Sequence, residues 1–250
     1  MNTIHRKLPH WLLACTAVVC AISISSCGDD EIIAAIDPAT IEFDEQRAFE
    51  QLKYLCNEIG PRRIGTAGSV KTQKWIEAEI AELSGWTYSV DEFTAKPPQG
   101  ARRRGDIKGA NVFARREGTQ PGEIWICSHY DTFDKPGFVG ANDGGSSTVV
   151  LLELARQLQG DSPLPGMSIV MCWFDGEESF PPVRWNDNTN STFGSRYVAH
   201  SKRDDNTLSE IKAFILLDMV GDKNLGLVKD TTSHSGLKRI FEQTAQQLGD

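Results

Sequence analysis

The stretch IVMCWFDGEESF, residues 169–180, carries no charge from Ile169 to Phe174 and then sets Asp175, Glu177 and Glu178 almost side by side. A short, wholly apolar run bounded by a glycine turn is the pattern of a strand buried on both faces, as parallel sheets covered by helices require. Acids at the mouth of such a strand call for an explanation, because clustered carboxylates repel and raise one another's pKa.

Two further stretches share the apolar character, EIWICSHY (123–130) and AFILLDMV (213–220). They too predict strands buried on both faces. WTYSVDEF (86–93) and NVFARR (111–116) add β-branched and aromatic residues of strand type. Helical patterns lie between and around them. In residues 43–62, Phe49, Leu52, Cys56 and Ile59 recur at helical spacing, with Asp44 as N-cap and Gly60-Pro61 as the stop. SVKTQKWIEAEIAEL (69–83), SSTVVLLELARQLQG (146–160) and LKRIFEQTAQQL (237–248) predict three more helices. Alternation of this kind predicts an α/β fold with a mostly parallel central sheet flanked by helices, in one domain over residues 43–250.

In open α/β sheets ligands collect outside the carboxyl ends of the strands. There the chain places His129 and Asp131 after the first apolar strand, Asp143 in the loop GANDGGSS, the three acids after the second, and Asp218 at the end of the third. A bound dication explains why such groups converge. Imidazole and carboxylate oxygens suit zinc with a position left open for substrate, and one glutamate of a neighbouring pair can ligate while the other carries protons.

The N-terminus reads as an export signal. HRK precedes the apolar run of residues 11–24, too short for a comfortable membrane span, and ISSC follows at 24–27. The small residues before Cys27 resemble a lipobox, which predicts a signal peptide over 1–26 and a lipidated Cys27 on a tether over 27–42, anchoring an exported protein to a membrane. An ordinary secretory signal is the alternative. Removal of Arg6 and Lys7 with the leader takes the net charge from −8 to −10, which argues against nucleic acid as a partner. Cys56, Cys127 and Cys172 would remain, an odd set with no disulfide framework. The basic run ARRRG (101–105) reads as a solvated loop, and the sequon at Asn190 as incidental.

SHYDT (128–132), VGANDGGSSTVVLLELAR (139–156), WFDGEES (173–179), FGSRYVA (193–199) and LLDMVGD (216–222) together resemble the zinc aminopeptidase superfamily. Within it, residues 91–114 and the insertion SFPPVRWNDNTNST (179–192) are most similar to the glutaminyl cyclases. The resemblance implies a zinc exopeptidase-like three-layer fold. It implies Asp143 and Glu178 as zinc ligands and Glu177 as general acid/base, with Asp218 assisting its proton handling. In a two-metal enzyme His129 and Asp218, with Asp131 as a further candidate, would be ligands of the second metal; with a single zinc they would support the first set from behind. Trp185 would line the substrate pocket. The substrates implied are peptide or protein N-termini, cyclised from glutamine to pyroglutamate at one zinc. Hydrolysis by a two-zinc aminopeptidase is the alternative, and an inactive peptide-binding lipoprotein a second. The family's remaining ligand, a histidine beyond Asp218, has no counterpart here: His234 lies in the polar loop KDTTSHSG and reads as solvated. The chain therefore reads as lacking the family's C-terminal part.

Overall fold

The computed structural model describes residues 43–185, 189–223, 225 and 231–248. The expected signal segment, Cys27 and the tether fall outside the described residues.

Five strands form one sheet: β1 (Trp86–Ala95), β2 (Ile107–Arg116), β3 (Gly118–His129), β4 (Leu164–Phe174) and β5 (Ile211–Leu216), in the spatial order β1-β2-β4-β3-β5. The α/β class holds, with the parallel pairing concentrated where the chemistry lies. β3 runs parallel to both β4 and β5, whereas β2 is antiparallel to β1 and to β4. The carboxyl ends of β4, β3 and β5 therefore open onto one edge of the sheet.

β3 and β4 are buried on both faces, as their apolar runs predict. On one face Ile124, Ile126, Ile169, Met171 and Trp173 pack against Ile76 and Ile80 of α2 (Ala67–Ala81) and against Val149–Leu154 of α3 (Ser147–Gln157). On the other, Trp125, Cys127, Val170 and Cys172 meet Val198 of α4 (Phe193–Asp204). Cys127 and Cys172 are free, buried thiols filling that layer. Each such apolar side chain contributes about 1.5–3 kcal/mol by leaving water. The last helix, α5 (Ser235–Leu248), adds Leu237 and Phe241 to the first layer.

Two expectations need correction. β5 is not buried on both faces: Ala213 and Ile215 point into the first layer, but Phe214 and Leu216 are 49% and 57% exposed. No described element covers the second face there. In the first helix, α1 (Glu45–Tyr54), Asp44 is the N-cap and accepts from the Arg47 N–H, but Phe49 is exposed beneath Lys53. Ala48 and Leu55 take the buried stripe instead, and a wider turn over Leu55–Ile59 ends the helix before Gly60. Arg47 explains the shift in face. Its guanidinium grips Glu153, a fully buried carboxylate of α3, through two bonds of 2.8 Å, and so sets how α1 docks.

Candidate active site

The site grows from three parallel strand ends and one glycine loop. His129 is the last residue of β3, and the next residue, Tyr130, donates its N–H to Phe174 O, holding the ends of β3 and β4 side by side. Asp131 follows, fully buried. Its Oδ1 accepts from the N–H of Glu177 at 3.0 Å and lies 3.3 Å from His129 Nδ1, and its Oδ2 accepts from the N–H of Glu178 at 3.2 Å. One carboxylate thus fixes the imidazole and the backbone of both glutamates.

The acidic turn is held from its other side by α4. The carbonyls of Asp175, Gly176 and Glu177 accept from the N–H groups of Gly194, Phe193 and Thr192. Asn111 on β2 accepts from the Asp175 N–H and donates to Gly194 O. Gly176 sits at φ 69°, and a β-carbon there would come within 2.7 Å of Ile64. The turn that exposes the glutamates after a buried strand therefore requires glycine.

Asp143 is presented by an irregular helical turn over Ala141–Ser146, in which Asp143 and Gly144 leave helical geometry. Gly144, at φ 76°, passes so close to β3 that a β-carbon would lie 2.9 Å from His129 Cε1 and from Asp131 O. Only glycine lets the loop bring Asp143 against the histidine. Asp218 arrives past the end of β5 in a turn pinned to the same loop, with Val220 N–H donating to Ser146 Oγ at 3.0 Å and Gly221 N–H to Asn142 Oδ1 at 2.8 Å.

The outcome is a cluster of His129, Asp143 and Asp218 whose ligand atoms lie within 4.8 Å of one another. His129 Nε2 stands 3.2 Å from Asp143 Oδ1 and 3.4 Å from Asp218 Oδ1. That trio joins Asp143, expected with Glu178 at the first metal, to His129 and Asp218, expected at a second metal or in support of the first. Glu178 stands on the neighbouring turn. Asp131 is occupied by the two backbone N–H groups and the imidazole, so the geometry gives it a supporting place behind the cluster.

The electrostatics record the crowding. Burial first, then Asp131, Asp218 and Asp143, push the Glu177 carboxyl up to about 7 against the opposing pull of His129. Burial, Asp131, Asp143 and Glu177 push Glu178 up to about 8. Burial opposes protonation of His129, but Asp131, Asp143 and Asp218 overcome it and raise the imidazole well above its ordinary pKa. Its hydrogen bond with His129 holds Asp218 below the usual carboxylate range.

A divalent cation fits this chemistry. His129 Nε2 and Glu178 Oε1 are buried without a well-formed hydrogen bond, and each is a donor of the type zinc takes. Of the other expected residues, Trp185 is 51% exposed on the insertion, and His234 is exposed. The insertion itself is clasped by Asn190, whose buried amide accepts from Phe180 N–H and donates to Val183 O. That amide is thereby withdrawn from any role as a sequon. Arg103, expected in solvent, is partly buried and donates to Ile64 O beside the site. A separate groove of about 260 Å³, between Phe113, Trp125 and Val198 on the sheet's other face, contains none of the cluster.

Comparison with known proteins agrees with this picture. The sequence pattern of peptidase family M28 matches residues 111–250. A glutaminyl-peptide cyclotransferase of Boiga irregularis is 31% identical over 226 residues, covering 77% of this chain and 59% of that protein. Among solved structures, an Acidobacteriales bacterium glutaminyl cyclase superposes with a TM-score of 0.73 at 33% identity, over 83% of this chain and 69% of the other. A Zn-dependent exopeptidase from Parabacteroides distasonis shares the fold at a TM-score of 0.60 and 23% identity, over 73% of this chain and 64% of the other. The chain spans about three fifths of the length of the curated relative it matches. It belongs to peptidase family M28.

Proposed function

We propose that this member of peptidase family M28 acts as a zinc-dependent glutaminyl-peptide cyclotransferase, converting an N-terminal glutamine to pyroglutamate with release of ammonia. The observation that carries the reading is the placement of Glu177 beside a metal-type cluster by a single buried carboxylate, Asp131. The names of the relatives, at 31% and 33% identity, support this choice of substrate class.

Asp143 and Glu178, whose Oε1 is buried without a hydrogen-bond partner, would hold the cation, with His129 and Asp218 supporting them from beside. When bound, zinc supplies Lewis-acid polarisation of the side-chain carboxamide. The remaining chemistry is proton movement. As the α-amine nitrogen bonds to the carboxamide carbon and the C–NH2 bond breaks, a proton must pass from the former to the latter. Burial and the neighbouring acids raise the Glu177 carboxyl in the metal-free chain, and a carboxyl raised toward the working pH is suited to accept and return that proton. Asp218, whose charge helps raise Glu177, tunes the carrier. Trp185 contributes a wall for the flat carboxamide.

Aminopeptidase action is the second reading, favoured by one observation: His129 and Asp218 lie close enough to share a cation of their own with Asp143. Ammonia release from glutamine-initiated dipeptides, assayed beside hydrolysis of leucine p-nitroanilide in the presence of zinc, separates the two. Release of leucine at a rate equal to or above that of ammonia would reverse the ranking. The leader and Cys27 support an exported, lipid-anchored protein, and Cys27→Ser should then abolish labelling by a fatty-acid probe.

A further inference from the structure

Arg62 is completely buried, and every described partner of its guanidinium is a backbone carbonyl. Nε donates to Tyr130 O at 2.8 Å, Nη1 to Val139 O at 2.7 Å and Gly60 O at 3.2 Å, and Nη2 to Gly140 O at 3.1 Å. Its backbone N–H donates to Thr132 Oγ1 at 2.9 Å. Burying a guanidinium without a carboxylate in contact is costly, and burial accordingly draws its pKa down to about 10. The placement of these bonds shows what the cost maintains. They grip both ends of a single excursion of the chain, which leaves β3 at Tyr130 and returns at Val139 and Gly140, three residues before Asp143. Gly140 itself is left-handed at φ 52°.

We propose that Arg62 is the positioning residue that sets the separation of His129 and Asp143. The planar fork spans from the first carbonyl of the excursion to the last two, so the loop's closing distance is determined by the width of one guanidinium. A lysine, with a single nitrogen, can reach one end or the other but cannot bridge both. The charges of Asp131 and Asp143 in turn act favourably on the Arg62 guanidinium, which stays outside the cluster. The carbonyl acceptors are hydrogen-bonded wherever a cation binds, so the loop-setting role stands on geometry alone. Only its consequence for metal affinity rests on reading the cluster as a cation site.

The test uses Arg62→Lys and Arg62→Met in the full chain, with two measurements. Amide hydrogen exchange should show protection over residues 133–143 falling at least about tenfold in both variants while β4 keeps its protection. Titration with zinc chloride against a competing chelator should show affinity about 10–100-fold weaker in Arg62→Met and weakened less in Arg62→Lys, as for other groups that orient metal ligands. Unchanged exchange in a folded variant overturns the proposal. So does a loosened loop with wild-type zinc affinity, or a failure of both variants to fold, since either would reduce Arg62 to a general stabiliser. Zinc bound by none of the proteins, wild type included, together with a loosened loop, would remove the cation reading and leave the loop-setting role in place.

Discussion

Asp175 offers a perturbation whose magnitude follows from its surroundings. It is 1% exposed; its Oδ2 accepts from Ser69 Oγ at 3.0 Å and from the Ala110 N–H at 3.3 Å, while its Oδ1 has no partner. Burial first, and the charge of Asp131 second, push its carboxyl from 3.8 up to about 8, so the folded chain carries a proton on Oδ1 that the unfolded chain lacks at neutral pH. A folded pKa raised above the unfolded one gives stability that is full below pH 3.8 and is lost as pH rises toward 8, at a limiting slope of about 1.4 kcal/mol per pH unit. By pH 7 the loss approaches, as a ceiling, about 4 kcal/mol. Asp175→Asn places an amide where the neutral acid stands, keeps the acceptor for Ser69 and Ala110, and removes the titration. Urea unfolding with a chelator present, from pH 5 to pH 8, should therefore find the variant's advantage over wild type growing by up to roughly 4 kcal/mol across that range. Glu177, Glu178 and His129 titrate in both proteins, so the difference between the two curves isolates Asp175. Parallel curves, with a constant difference across the range, would falsify the assignment of a buried neutral acid.

Glu177→Gln should keep zinc and lose about 10²–10⁴-fold in turnover, whereas Glu178→Ala should lose at least about a hundredfold in zinc affinity by dialysis and metal analysis. Equal zinc loss in both would erase the division of labour between the pair. Asp131→Asn leaves one of the two glutamate N–H groups facing an amide donor, at a cost of about 1–3 kcal/mol in thermal or urea stability. It also removes a charge that raises Glu177, so the acidic limb of the pH–rate profile should move to lower pH as the maximum falls. Trp185→Ala should raise KM several-fold with kcat nearly unchanged, a result that a change confined to kcat would contradict.

What could be read from the sequence is what repeats at the period of a strand or helix, or changes the chemistry at its end. β3 and β4 announce themselves because both faces are buried, and the acids stand out because nothing apolar follows Phe174 until the turn is complete. β5 carries the same apolar letters with only one face covered, so composition overstates its burial. Phe49 misleads for a related reason: α1 is oriented by the ion pair of Arg47 with Glu153, 106 residues away, and not by its largest apolar side chain. Arg62, Asn111 and Asn142 left no signal at all. Each works by hydrogen bonds to groups brought near by folding, as in the reach of 68 residues from Arg62 to Tyr130, and in a single sequence Arg62 beside Arg63 looks like one more surface cation.

These silent residues and the acidic ones belong to one arrangement. Without a cation, Glu177 and Glu178 hold protons to about 7 and 8 because burial disfavours their charged forms and Asp131 and Asp143 stand close, and Asp131 cannot retreat because it holds both glutamate N–H groups. Asp143 cannot retreat because Gly144 and the loop closed by Arg62 press it against His129. The fold therefore maintains a repulsion that side-chain rearrangement alone does not relieve, and the relief available is a positive charge arriving from solution. A dication entering the cluster would displace protons from His129 and Glu178, so its apparent affinity should rise with pH across the same interval in which the metal-free chain loses stability. Binding and folding are then coupled through the same carboxylates, and the rigidity that looks like a defect in the metal-free chain is what keeps the donors in place for the ion.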